Sequence, residues 1–354
     1  MMSHDVMPLP VEYEALRGKR CLVTGAAGFI GGALFRRLVS YGIDVTGTVL
    51  LPSEAEELRR EGLRAAVLDL SADNNWDEML RGAQVVFNIA AMFQETEQSE
   101  DMYDKVDHRG ALRLAETALR MGAERFVHCS TVGVHGHVKE VPATEATALN
   151  PMDLYHRTKL AGEVAILDLA RRTSPSQMAI TAIRPAMVYG PGDRRMLKLF
   201  KTILDGRFVM VGSGQAWTHL GHVEDNVDAF LLGAVAPARA VHGEAFNIAS
   251  AEPMRLRELV ELIAREGGVQ PPRLRVPLAP VWAAGVVAEV LCRPFKVRPP
   301  LSRRRVGFFT HDRAFDLTKA KQRLGYRSQW AHPEGVRNTI AWYQERKLVA
   351  PRSR

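Results

Sequence analysis

Tyr155 and Lys159 stand four residues apart in Tyr155-His156-Arg157-Thr158-Lys159, so a helix sets both side chains on one face. A free phenol has a pKa of about 10 and is a poor base at neutral pH. An ammonium beside it favours the phenolate and lowers that value, which suits Tyr155 to pass a proton to or from a substrate oxygen. A third group stands upstream, where Val127-His128-Cys129-Ser130-Thr131 reads as the end of a strand. A hydroxyl at the carboxyl edge of a sheet can donate to the same oxygen, and Ser130 and Thr131 compete for that role.

Near the N-terminus an apolar strand, Arg20–Thr24, runs into Gly25-Ala26-Ala27-Gly28-Phe29-Ile30-Gly31 and then an amphipathic helix. Gly25 can turn sharply, Gly28 lets backbone approach a pyrophosphate, and Gly31 lets the helix pack closely on the sheet. The pyrophosphate would lie at the positive end of the helix dipole, with Ala27, Phe29 and Ile30 completing the contact. This strand–loop–helix context makes the triplet a dinucleotide site. Lys159 can then also reach a ribose hydroxyl and hold the nicotinamide. Asp69, at the end of the third strand, is placed for the adenine amino group with Leu70 beside it, and Ala90 and Ala91 are small where the cofactor passes. The second strand ends Thr48-Val49-Leu50-Leu51-Pro52, with neither the acid that reads NAD nor the arginine that reads NADP. The cofactor is NAD or NADP, and the missing acid tilts the reading towards NADP.

Strand-like runs at 20–24, 44–50, 63–68, 84–89, 125–129 and 179–183 alternate with helices at 28–41, 55–61, 76–81, 103–121 and 154–172. Such alternation predicts an α/β fold, a doubly wound parallel Rossmann sheet with helices on both faces. Beyond about residue 190 the pattern turns irregular, with helices read at 196–204, 223–235 and 256–266. The expected division is an extension at 1–18, a dinucleotide domain at 19–190 that takes sheet contributions from later segments, a substrate-binding lobe at 191–345, and a tail at 346–354.

The 354 residues are 46% hydrophobic and 25% charged, as in an ordinary globular chain. Cys21, Cys129 and Cys292 are scattered, which argues against a disulfide framework and against a metal site. No signal peptide is read at the N-terminus, and the longest apolar stretch, 276–292, falls short of the roughly 20 residues a spanning helix needs. A cytoplasmic protein is expected, touching a membrane at most at its surface. The formal charge is +7, and Arg293, Lys296, Arg298, Arg303, Arg304 and Arg305 form a late basic run. It reads as a solvated face or an anion-binding rim, and nucleic acid is excluded for want of a binding module.

Together these motifs resemble the extended short-chain dehydrogenase/reductases, the superfamily of nucleotide-sugar epimerases and dehydratases and of 3β-hydroxysteroid dehydrogenases. Gly25/Gly28/Gly31, Ser130-Thr131 before Val134-His135-Gly136, Tyr155/Lys159, Arg184-Pro185 through Tyr189-Gly190-Pro191-Gly192, and His222-Val223-Glu224-Asp225 follow in family order from about residue 19 to 345. The resemblance implies that Thr131, five residues before Gly136, is the catalytic hydroxyl. It also implies that Pro185 to Val188 border the nicotinamide.

Three departures bear on the branch. The similar 4,6-dehydratases carry Asp-Glu after the catalytic threonine, where this chain has Val132-Gly133. Nucleotide-sugar enzymes tend to carry a pyrophosphate-gripping arginine where this chain has Thr218. Trp217, Val281, Trp282, Val286, Val287 and Leu291 make the late segment apolar, either as lobe core or as a lipophilic pocket beside a basic rim. The expectation is therefore a homodimeric oxidoreductase interconverting a secondary alcohol and a ketone on a small, lipophilic, sterol-like molecule, with decarboxylation if the substrate bears a 4-carboxylate. A nucleotide-sugar 4-epimerase and a non-catalytic cofactor sensor are the alternatives.

Overall fold

The computed structural model describes residues 7–72, 76–92, 99–292 and 303–350, including all of their side chains except those of 289–292 and 303–305. Strands β1 (Arg20–Thr24), β2 (Asp44–Val49), β3 (Ala65–Val67), β4 (Val85–Asn88), β5 (Arg125–Cys129) and β6 (Ala179–Pro185) join a seventh, Glu244–Ile248, in one parallel sheet. Its order is seventh strand, β6, β5, β4, β1, β2, β3. Every residue of β4 and β6 is buried, as expected of parallel strands covered on both faces. The winding direction reverses between β1 and β4, which opens a crevice at the carboxyl ends of those strands.

Helix α1 (Phe29–Ser40) buries Leu34, Phe35 and Leu38 and packs beside the helix Val223–Val235 on one face of the sheet. On the other face lie the helix Leu154–Arg171 and the run Glu100–Tyr103, Asp104–Gly110 and Ala111–Arg120. The middle third of that run is π-helical, where the 3.6-residue pattern predicts a regular helix. The wider turn faces Asp107 inward, where its Oδ1 accepts from Met92 N at 2.9 Å and its Oδ2 from the Thr158 hydroxyl at 3.1 Å.

The irregular pattern beyond residue 190 hides a strand and two helices, among other elements the sequence reading does not place. The seventh strand pairs with β6 from Glu244↔Thr181 to Ile248↔Pro185, and helices Thr318–Leu324 and His332–Glu345 follow. The helices Leu197–Leu204, Leu256–Gly267 and His332–Glu345 share a separate apolar core that includes Phe200, Leu259, Ile263, Val336 and Tyr343. Cys21 and Cys129 are buried and unbridged. Among the described residues no helix is long and apolar enough to cross a membrane.

One buried ion pair joins sheet to helix. Arg184, on β6, donates from Nε to Glu163 Oε2 at 2.9 Å and from Nη2 to Glu163 Oε1, with the side chains only 4% and 1% exposed. Its Nη1 also donates to His135 Nε2 at 3.3 Å. Breaking such a pair leaves one charge buried alone, so Glu163→Gln is expected to destabilise the fold by about 3 kcal/mol or more. Urea unfolding followed by circular dichroism checks this, and a loss below about 1 kcal/mol would show that water already screens the pair.

Candidate active site

At the crevice β1 ends in Thr24 and the chain turns through Gly25, whose φ of +69° is the left-handed region. A Cβ at Gly25 would lie 3.0 Å from Ala90 Cα, and one at Gly31 only 2.3 Å from Gly25 O, so both closeness and curvature demand glycine. Gly28 caps α1 without a side-chain acceptor, which turns the first N–H groups of a twelve-residue helix towards the crevice. A groove of about 820 Å³ runs along it. Gly25, Ala27, Gly28, Phe29, Ile30, Gly31, Asp69, Leu70, Ala90, Ala91, Tyr155 and Lys159 all line the groove. Pro185, Val188, Ser130 and Thr131 do not. Pro185 and Val188 are buried in strand pairing, and that side of the groove is formed by Gly192, Asp193, Arg194 and Arg195 instead.

A hydrogen-bonded chain ties the strand ends together. Thr24 Oγ1 accepts from Ile89 N at 2.9 Å and Ala90 N at 3.0 Å and donates to Asn88 Oδ1 at 3.0 Å. Asn88 Nδ2 then donates to His128 Nδ1 at 3.1 Å, which places the histidine proton on Nε2. Burial, with Lys159 adding, pushes the His128 pKa well down, so its ring is neutral.

Lys159 is 1% exposed, and its Nζ has no hydrogen-bond partner among the described residues. An unsatisfied buried ammonium is rare enough to require a ligand, and a ribose hydroxyl in the groove meets that need. Glycine loop, helix terminus and ammonium therefore fit a dinucleotide. Tyr155 is half-buried. Desolvation pushes its phenol above the ordinary value, with Cys129 and Asp107 adding to the rise and Arg195 opposing it. The lowering expected from Lys159 is not among these influences, and at neutral pH the phenol holds its proton.

The two hydroxyls differ in setting. Ser130 is 2% exposed, its N donates to Ile183 O at 2.7 Å, and its Oγ is enclosed without a partner among the described residues. Thr131 is half-buried and caps a short 3-10 turn, its Oγ1 accepting from Gly133 N at 3.1 Å while the hydroxyl proton remains to be donated. Asp69 lines the groove, and its Oδ1 accepts from Ser71 N and Ser71 Oγ, each at 2.7 Å.

Several lining residues lie outside the motifs. Arg195 stands over the Phe29 ring, 5.4 Å from its centroid, a cation beside the glycine loop. Glu54 lines the groove with Thr48, Val49 and Leu50, and Trp342 enters from the last helix. The apolar residues expected to share a pocket do not meet in this groove. Trp217 borders a separate cavity of about 360 Å³ and carries the Arg255 guanidinium over its ring, and Val281 and Val286 are half-buried. Trp282 and Val287 are 51% and 56% exposed. The side chain of Leu291, and the basic run from Arg293 to Arg305, lie outside the described residues and side chains.

The chain belongs to the NAD dependent epimerase/dehydratase family, whose sequence profile matches residues 21–249. It is 31% identical over 345 residues to the UDP-glucose 4-epimerase of Mycolicibacterium smegmatis, covering 92% of this chain and 99% of that protein. It is 28% identical over 353 residues to the 3beta-hydroxysteroid-dehydrogenase/decarboxylase isoform 1 of Arabidopsis thaliana, covering 90% and 78%. The solved structure of MoeE5 in complex with UDP-glucose and NAD aligns with a TM-score of 0.70 at 25% identity, over 93% and 99% of the two chains. The protein is an NAD-dependent enzyme of the extended short-chain dehydrogenase/reductase class, and its relatives include both steroid and nucleotide-sugar enzymes.

If Tyr155 moves the proton, Tyr155→Phe should cut turnover by roughly 10² or more, the usual worth of acid–base transfer, with cofactor affinity nearly unchanged. Thr131→Val should lose more activity than Ser130→Ala. Steady-state rates and cofactor titration check both, and turnover of Tyr155→Phe within a few-fold of wild type would remove the tyrosine from the mechanism.

Proposed function

We propose that this enzyme interconverts a secondary alcohol and a ketone on a lipophilic, sterol-like substrate with NAD as the hydride carrier. The observation that carries the substrate class is Thr218. It is 4% exposed, its hydroxyl has no partner among the described residues, and it stands where the nucleotide-sugar branch presents an arginine. An anionic pyrophosphate there would lose a charge-assisted contact worth about 1.5–3 kcal/mol. Dehydration is opposed sterically as well as chemically. A Cβ at Gly133 would lie 2.1 Å from His156 Nε2, so a glutamate at that position would displace the imidazole.

In oxidation, Tyr155 Oη takes the alcohol proton as the carbinol carbon gives up its hydride. Bound NAD supplies the acceptor carbon for that hydride. In reduction Tyr155, protonated at rest, donates to the ketone oxygen while the Thr131 hydroxyl holds that oxygen from the other side. Lys159 orients the nicotinamide ribose, and the N–H groups at the start of α1, with Arg195, hold the pyrophosphate. The lobe beyond residue 191 closes over the substrate. A substrate with a carboxylate beside the new ketone is a β-keto acid and loses carbon dioxide without further groups.

For the cofactor phosphate, Glu54 supplies the acid that the end of β2 lacks. Its Oε2 accepts from Leu51 N at 3.2 Å, which fixes the carboxylate beside Val49 and Leu50 at the adenosine end of the groove. A carboxylate there accepts a 2′-hydroxyl and repels a 2′-phosphate, which reverses the tilt towards NADP. Glu54→Gln should improve NADP binding relative to NAD by about tenfold, equivalent to ~1.4 kcal/mol. An unchanged ratio of dissociation constants would free Glu54 of this role.

The epimerase reading is favoured by the 31% identity to a UDP-glucose 4-epimerase along nearly its whole length. Both readings meet in one experiment. We expect a 3β-hydroxy sterol or similar polycyclic alcohol to reduce NAD, read at the absorbance of the reduced nicotinamide, and millimolar UDP or UDP-glucose to leave the melting temperature unchanged. A rise in melting temperature with UDP-sugars and none with any lipophilic alcohol would establish the epimerase instead.

A further inference from the structure

The two hydroxyls that must meet at one substrate oxygen come from different elements. Thr131 caps the 3-10 turn Val132–His135, and Tyr155 stands on the first turn of the helix Leu154–Arg171. What lies between turn and helix therefore sets their separation. Further along the turn the tie is made by backbone, where Asn150 N donates to Val134 O at 2.9 Å. Beside Thr131 the contact is a side chain, His156.

Gly133 shows how close that contact is. Its φ lies outside the left-handed region, so its backbone conformation does not call for glycine. Space does: a Cβ there would stand 2.1 Å from His156 Nε2 and 2.2 Å from His156 Cδ2. A free imidazole could swing aside for a methyl group, but this one is held. His156 Nδ1 lies 2.9 Å from Asp153 Oδ1, and the same oxygen, as the cap of the helix, accepts from His156 N at 2.9 Å. The imidazole also meets the Tyr155 ring edge-on, with centroids 5.2 Å apart.

Gly133 carries the contact onward to the catalytic hydroxyl. Its N–H donates to Thr131 Oγ1 at 3.1 Å, so a shift of Gly133 shifts the oxygen it holds. His156 thus packs on the phenol ring and on the residue that fixes Thr131, while it is not among the residues lining the cofactor groove. A misplacement of about 1 Å between reacting groups can cost a hundredfold in rate.

We propose that His156 is a positioning residue: its imidazole, braced by Asp153, is the spacer that sets the Thr131 hydroxyl against the Tyr155 phenol. This rests on the acid–base roles given above to Tyr155 and Thr131, and not on the substrate being a sterol.

The test is a double-mutant cycle of His156→Ala and Gly133→Ala in the full chain, with Tyr155→Phe beside it. His156→Ala should lower kcat for the 3β-hydroxy sterol by about tenfold or more, with KM and the NAD dissociation constant within about twofold. Gly133→Ala should lose about as much, by pushing the imidazole aside. The losses should not multiply, because in the His156→Ala background the added methyl group meets no ring. Melting temperatures read the same cycle without substrate: Gly133→Ala should lower the value in the wild-type background and not in His156→Ala. If the wild type turns over UDP-glucose in place of the sterol, the sterol reading fails and the same kcat comparison is made there. Wild-type kcat in His156→Ala, with Tyr155→Phe reduced by roughly a hundredfold, would overturn the proposal and leave the imidazole a purely structural part. An equal drop in melting temperature from Gly133→Ala in both backgrounds would overturn it too. Wild-type turnover in Tyr155→Phe would bring down the acid–base reading itself, and the spacer with it.

Discussion

Two charges enclosed in the core, the guanidinium of Arg184 and the carboxylate of Glu163, fasten the helix Leu154–Arg171 to β6. Neither could be buried alone, so the helix has one rotation and one depth at which both are satisfied. Tyr155 and Lys159 precede Glu163 by eight and four residues and lie on the same stripe of the helix. Pinning Glu163 therefore turns both towards the carboxyl edge of the sheet. The neighbouring stripe is fixed as tightly. The Thr158 hydroxyl donates to Asp107, and a Cβ at Gly162 would stand 2.0 Å from Asp107 O. Two contacts on adjacent stripes resist rolling of the helix, so core packing sets where Tyr155 and Lys159 stand.

The same low-dielectric surroundings set the protonation states. His128 beside Lys159 is kept neutral by burial and by the neighbouring cation, so it completes the Thr24–Asn88–His128 chain without adding a second positive charge. Asp107 experiences opposing influences. Burial pushes its pKa up, while Lys159, Met92 N–H and the Thr158 hydroxyl hold it down, and burial prevails.

What the sequence disclosed and what it withheld divide along one physical line. The glycine loop and the Tyr155/Lys159 pair are local: each motif lies within seven residues and is placed by one strand or one helix. Asp107 and Arg195 make contacts that form only on folding. Asp107 sits in a helical run whose π-helical turn leaves no mark in the hydrophobic period. Arg195 comes to the glycine loop from 166 positions further along the chain. A later sheet contribution was expected, but the place of the seventh strand was not read for the same reason, because its pairing partner, β6, ends nearly sixty residues before it begins. The apolar late segment misled in the opposite sense. Composition marks residues that avoid water, but it does not distinguish a pocket lining from an outer face, and Trp282 and Val287 lie on the outer face.

The raised phenol of Tyr155 has a consequence for the chemistry. With Cys129 and Asp107 adding to desolvation, the resting group is a proton donor, the state that ketone reduction consumes. Alcohol oxidation would need the phenolate, and the surrounding residues do not supply it at neutral pH: Arg195, the cation that opposes the rise, is outweighed by burial. Positive charge brought to the inner end of the groove, next to Lys159, would favour the phenolate.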